Sequence, residues 1–193
     1  TDDHVWIVHR SSSTLADNEK GIELKTATCC AGAPPVLEFD QAGNLLRHWG
    51  GPGQGYEWPD GNHGIFIDHK GNVWIGGNGG PDSHILKFTK DGKVLMQVGK
   101  KGARRKAGAK AGGNEGDVVG FVGGSNDEVS FGRVAKIFVD QQANEAYLAD
   151  GYLNKRVAVI DADTGKMKRW WGAYGNKPDD TPLGAYDPAA PPA

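Results

Sequence analysis

Residues 36–51, VLEFDQAGNLLRHWGG, return in outline at residues 85–101, ILKFTKDGKVLMQVGKK, and again at residues 157–173, VAVIDADTGKMKRWWGA. Each copy reads as a strand, a tight turn and a second strand. Apolar residues alternate in VLEF and ILKF, as they do where one face of a strand is buried. The intervening QAGN, KDGK and ADTG supply the residues that tolerate the positive φ of a hairpin turn. A second motif precedes two of these copies: HGIFIDHKGNVWIGG at residues 63–77 and AKIFVDQQANEAYLADG at residues 135–151. It is again strand, Asp-containing turn, strand. Together the motifs give four strands per unit at a period of about 45 residues, the signature of a β-propeller built from radial four-stranded blades. Little of the chain reads as helix, so the expected fold class is all-β.

Counting units gives about three blades, whereas propellers close with typically four to eight. The expectation is half a ring. In the first unit HVWIVHR (residues 4–10) corresponds to the second strand, NVWIGG (residues 72–77), and nothing stands before it as an innermost strand. The sequence thus starts inside a blade. Residues beyond it, or a partner chain, are expected to complete the ring, because an open half exposes apolar sheet faces at both flanks. The partial propeller is assigned to residues 1–175, with a Gly-, Ala- and Lys/Arg-rich surface insertion at 100–128. Residues 176–193, rich in Pro and Ala, read as a linker or tail.

Composition bounds the function. The chain has 193 residues, 38% hydrophobic and 24% charged, with a net charge of −2. That balance is globular and offers no global attraction to nucleic acid or anionic lipid. A phosphate-gripping role for the basic cluster in the insertion lacks interleaved aromatics and any base-reading motif. No apolar run approaches the roughly 20 residues of a membrane span, and TDDHVWIVHR has neither the basic nor the apolar region of a signal peptide. Cys29 and Cys30 are the only cysteines and are adjacent. They cannot form a long-range disulfide framework, and a vicinal disulfide, a soft-metal site and free thiols all remain open.

With the repeats placed, the chain resembles the NHL-repeat propellers, and within them the catalytic domain of the peptidyl-α-hydroxyglycine α-amidating lyases. WIVHR (residues 6–10) is similar to the family's strand ending in His-Arg and sets Arg10 on its active-site arginine. NHGIFIDHKGNVW (residues 62–74) resembles the Pro-His-Gly inner-strand motif and sets His63 on one of three zinc-binding histidines. SHILKF (residues 83–88) matches a His-containing third strand. DGYLNKR (residues 150–156) matches Asp-Gly-Tyr-x-Asn-x-Arg, the most specific of these motifs, and sets Tyr152 on the catalytic tyrosine. The resemblance implies a six-bladed ring, a catalytic zinc with a further structural calcium, a small peptide-like substrate, and an extracellular or periplasmic setting. The departures are specific. The animal enzyme has a cysteine after the tyrosine, paired with another just before the third inner strand; here those positions are Leu153 and Gly132. The family's other two zinc histidines lie in later blades, beyond Ala193.

Innermost strands line the central channel of a propeller, so residues at their leading ends converge from several blades. Three imidazoles holding Zn²⁺ would leave its fourth position for substrate. Tyr152, in a Gly-containing turn after a strand, is either a packed turn aromatic or a phenol placed as a general base. Arg10 supplies a permanent positive charge suited to a substrate carboxylate or a tyrosinate. The implied reaction cleaves a carbinolamide C–N bond to an amide and glyoxylate. The alternative is a non-enzymatic propeller acting as a protein-binding or structural subunit. Asp68, Asp140 and Asp161 are expected as turn residues, and Trp49, Trp58, Trp74, Trp170 and Trp171 as inter-blade packing.

Overall fold

The computed structural model describes residues 3–10, 15–103 and 124–181, and over these the chain is all-β. Three antiparallel meander sheets follow one another. The first contains β1 (Val5–Val8), β2 (Val36–Phe39) and β3 (Leu45–Trp49), in that order across the sheet. The second runs β4 (Asn62–Ile67), β5 (Val73–Gly77), β6 (His84–Phe88) and β7 (Val94–Gly99). The third runs β8 (Lys136–Asp140), β9 (Glu145–Asp150), β10 (Arg156–Asp161) and β11 (Met167–Trp171). The three sheets pack as propeller blades and do not close a ring.

Neighbouring blades meet along their first strands. β4 lies beside β8, and β5, the second strand of its blade, also touches β8. β1 touches β4 in the same way. That equivalence makes β1 a second strand, as the alignment of HVWIVHR with NVWIGG implies. Val5 and Ile7 on β1 are exposed, at 53% and 42%, on the flank turned away from the second blade.

Local chemistry sets the turns. The Asp68 carboxylate accepts the Lys70 and Asn72 backbone N–H groups at 2.9 and 2.8 Å, and Asp161 accepts those of Asp163 and Thr164 at 3.1 and 2.8 Å. Asp140 does the same for Gln142 and Ala143. These are turn caps. In the β8–β9 turn the left-handed position falls to Asn144, with φ of 51°, where the β4–β5 turn has Gly71. Asn is the residue that tolerates this conformation best after Gly.

The core lies between blades. Phe88 sits among Trp49, Tyr56 and Trp58, with ring centroids 5.1, 5.1 and 6.0 Å away. Trp74, Ile85, Phe131, Ile137, Leu148 and Ile160 form the second cluster, between the second and third blades. Burying each such side chain contributes about 1.5–3 kcal/mol. Trp49, Trp58, Trp74 and Trp170 belong to or pack against these clusters as expected, Trp58 from the loop before β4 rather than a strand, whereas Trp171 meets Tyr147 within its own blade. Because the middle blade is covered on both faces, every residue of β5 and β6 is buried, Lys87 included. Its ammonium donates to the Ala162 carbonyl at 2.7 Å and lies 4.8 Å from the centre of the Trp74 ring.

Two features were not legible from the repeat. Between β1 and β2 the chain forms a 3-10 turn, Asp17–Lys20, that runs into a single α-helical turn, α1 (Gly21–Leu24). Residues 176–181 of the assigned tail dock on the third blade: the Asp180 carboxylate accepts the backbone N–H and the hydroxyl of Ser125 at 2.6 and 2.5 Å. Most of the insertion, residues 104–123, and the rest of the tail lie outside the described residues. None of the helices among the described residues is long and apolar enough to cross a membrane.

His84, at the start of β6, is buried, and its Nε2–H donates to the Glu57 carbonyl at 2.5 Å. Nδ1 has no partner among the described residues. Burial pushes this imidazole below its ordinary range, overcoming the pull of the Glu57 and Asp82 carboxylates. The unfolded chain therefore takes up the proton first as the pH falls, at about 6.5, and stability is lost on acidification through that value until the folded form also protonates. Urea midpoints measured at about pH 7.5 and about pH 5.5 should fall between the two. The drop should be smaller in His84→Gln, whose amide can still donate to Glu57.

Candidate active site

His63 and Tyr152 lie 89 positions apart in the chain, and the blades bring them together: the Tyr152 hydroxyl is 3.2 Å from His63 Nε2. His63 is the second residue of β4, at the inner edge of its sheet. Its neighbour Gly64 explains how β4 approaches the third blade. A Cβ there would come within 2.7 Å of the Ala135 carbonyl oxygen and 3.2 Å of Lys136 Cα. Without one, the Gly64 N–H donates to the Ala135 carbonyl at 3.2 Å and the His63 ring reaches the same oxygen through Nδ1 at 2.7 Å. Gly64→Ala should cost about 1–3 kcal/mol by overpacking this seam. Thermal melting reads the loss, and the His63 ring should lose its fixed orientation with it.

A carbonyl oxygen only accepts, so Nδ1 carries the ring proton and Nε2 presents its lone pair. Ligating imidazoles are commonly held in this way, by a backbone acceptor on the far nitrogen. The Tyr152 hydroxyl donates to Nε2, and the two rings meet edge to face with centroids 5.7 Å apart. Tyr152 is 45% exposed.

The rest of DGYLNKR holds the turn that displays this tyrosine. Asp150 and Arg156 are both fully buried, and Arg156 Nε donates to the Asp150 carboxylate at 2.8 Å. The same carboxylate accepts the Asn154 amide at 2.7 Å and the Gly132 N–H at 2.6 Å. Arg156 also donates to the carbonyls of Ser125 and Ser130, at 3.0 and 2.9 Å, and to that of Asp127. Gly151, with nothing near its absent side chain, and exposed Tyr152 are left to project. Leu153 N–H donates to the Gly132 carbonyl at 3.1 Å, so these two positions are neighbours joined through the main chain.

Arg10 follows β1 at the same end of its blade. Its Nε donates to the Asn62 carbonyl at 3.3 Å, and an Nη donates to the Asn78 side-chain oxygen. Asn62 precedes His63, and its amide donates to the His9 carbonyl at 2.9 Å. Arg10 is thus set on the main chain that carries His63. The repeat alignment puts Arg10 and Asn78 at equivalent places in successive blades, one residue short of the equivalent of Tyr152. Asn78 and Asn62 are positioning residues that sequence reasoning missed. The signal was there, in the asparagine just before His63 and in the NVWIGGN match to HVWIVHR. Buried Asp82 was missed as well; its carboxylate accepts the N–H groups of Asp60, Gly61 and Gly79 at 2.9, 3.0 and 2.8 Å and locks the entrance of β4.

As a donor set for zinc, His63 fits as one ligand. No group of three or more His, Cys, Asp or Glu side chains gathers among the described residues, so they do not by themselves hold the ion. A cleft of about 530 Å³ lies at the other end of the first and second blades, lined by turn residues including Lys70, Gly71 and Lys90. Glu38 within it is already paired with His4 and Arg47, at 2.8 and 2.5 Å. No protein-family model matches the chain, and no characterised protein matches it at a significant level.

Proposed function

We propose that this chain carries part of the active site of a zinc-dependent carbon–nitrogen lyase of the amidating type, on an NHL-like propeller completed by further blades. The observation that supports this most directly is the His63–Tyr152 pair, a tautomer-fixed imidazole whose Nε2 lone pair accepts from a phenol that zinc binding would displace. The substrate class is an N-acyl-α-hydroxyglycine, in an extracellular or periplasmic setting. Zinc, held by His63 with ligands from the completing blades, would polarise the carbinol hydroxyl.

The chain's own residues divide the remaining work. Tyr152, as the phenolate left once its own proton is lost, accepts the carbinol proton. As the C–N bond breaks, its electron pair goes to nitrogen, the carbinol carbon becomes the carbonyl of glyoxylate, and the nitrogen takes a proton to leave as the amide. Arg10 fixes the main chain beside His63 and places a cation where a substrate carboxylate is neutralised.

The test is product formation. The assembled protein, with the blades that complete the ring, given N-benzoyl-α-hydroxyglycine and Zn²⁺ should release glyoxylate and benzamide in equal amounts, stop on chelation, and resume when zinc is restored. A complete, zinc-supplemented assembly that gives no glyoxylate above the spontaneous rate sinks the proposal. The second reading is a non-enzymatic propeller subunit, favoured by the exposed Val5 and Ile7 flank, which invites another blade irrespective of any metal. In that case the chain acquires a partner but never a lyase activity.

A further inference from the structure

Cys29 and Cys30 lie in the excursion between β1 and β2, which leaves and returns at the blade end where Arg10 stands, with the His9 N–H donating to the Pro35 carbonyl at 2.9 Å. Both are exposed free cysteines, although a free cysteine is among the most often buried residue types. In an extended chain, successive side chains point to opposite sides. Here Cys30 takes a left-handed conformation, with φ of 76°, and its sulfur stands 2.6 Å from that of Cys29. The segment around the pair is fixed from α1: Ile22 N–H donates to the Cys30 carbonyl at 3.2 Å, and Gly21 leaves room where a Cβ would come within 2.8 Å of the Cys29 carbonyl. Glu23 accepts the Gly32 N–H at 3.0 Å just beyond it.

We propose that Cys29 and Cys30 form a redox site, a vicinal dithiol that a low-molecular-weight disulfide oxidises reversibly to an eight-membered-ring disulfide. The Cys29 sulfur attacks the small disulfide as the thiolate; a bond forms between it and one sulfur of the oxidant, and the oxidant's own S–S bond breaks to release one thiolate. Cys30 then gives up its proton and attacks the Cys29 sulfur, expelling the second small thiolate. Two protein thiols are oxidised and one small disulfide is reduced to two thiols. The contact with Cys29 raises the Cys30 thiol above its ordinary range, which agrees with Cys30 acting second. The site is independent of the lyase reading, since none of its atoms touches His63 or Tyr152.

Because the chain has two cysteines, thiol titration reads this pair alone. The purified protein is reduced, equilibrated with glutathione buffers of increasing oxidised fraction, and followed by thiol titration, intact mass and non-reducing gel electrophoresis. The expected result is a fall from two titratable thiols to none, a mass lower by two hydrogen atoms, no cross-linked dimer, and full recovery on adding dithiothreitol. Cys30→Ser should instead stop at a stable mixed disulfide carrying one glutathione on Cys29. Wild-type protein that ends as glutathione adducts or as cross-linked chains, or that keeps both thiols in excess oxidised glutathione, overturns the proposal.

Discussion

Replacing Arg156 with alanine is expected to destabilise the chain by about 3–5 kcal/mol, the range for breaking a buried ion pair from one side. The side chains of Arg156 and Asp150 are both at 0% exposure, so Arg156→Ala leaves a carboxylate in the interior with only the Asn154 amide and the Gly132 N–H to hold it. The carbonyls of Ser125, Asp127 and Ser130 lose the Arg156 donor at the same time. The guanidinium also covers the Phe131 and Trp170 rings, at 5.9 and 6.0 Å, so packing is lost along with charge. A lower urea midpoint at unchanged slope is the signature of such a loss. Arg156→Lys should recover little of it, since an ammonium cannot serve a carboxylate and three carbonyls arranged around a planar fork. Asp150→Ala/Arg156→Ala should cost less than the two single changes added together, because the double variant leaves no orphaned charge.

That network also explains which parts of the molecule could be read in advance. The hairpins were legible because each depends on short-range chemistry: an aspartate capping its own turn, a Gly or Asn in the left-handed position, and apolar alternation beside it. Periodicity then fixed the blade, and even the rank of β1 as a second strand followed from aligning one repeat with another. Trp58 illustrates the limit. It does in the loop before β4 the work assigned to strand tryptophans, because a loop that crosses the top of a blade can fill the same gap. The helical turn at residues 21–24 gave no signal, being too short for an amphipathic period to register.

The site divides along the same line. The motif around Tyr152 contains its own scaffold in Asp150, Asn154 and Arg156, three residues within a seven-residue window, and so could be recognised as a unit. The contact between Tyr152 and His63 spans 89 positions and depends on how β4 lies against residues 135–136, which no local pattern states. Asp82 was hidden for that reason: its role exists only once the entrance of β4 and the loop after β5 are side by side.

Tyr152→Phe separates the two readings of this tyrosine more sharply than any other change. The ring contact with His63 is edge to face and survives the loss of the hydroxyl, so a tyrosine there for packing alone would be replaced without consequence. Its 45% exposure keeps the stability change within about 0.5 kcal/mol. Under the proposed chemistry the hydroxyl is the group that takes the carbinol proton, and its removal should lower kcat by about 10²–10⁴-fold, the usual contribution of a positioned base. KM should move little, because the phenol binds no part of the substrate that the ring does not. A Tyr152→Phe variant with wild-type kcat removes Tyr152 from the chemistry while leaving the propeller, the His63 tautomer and the buried Asp150–Arg156 pair as they are, and the proton would then have to be accepted by a residue on a completing blade.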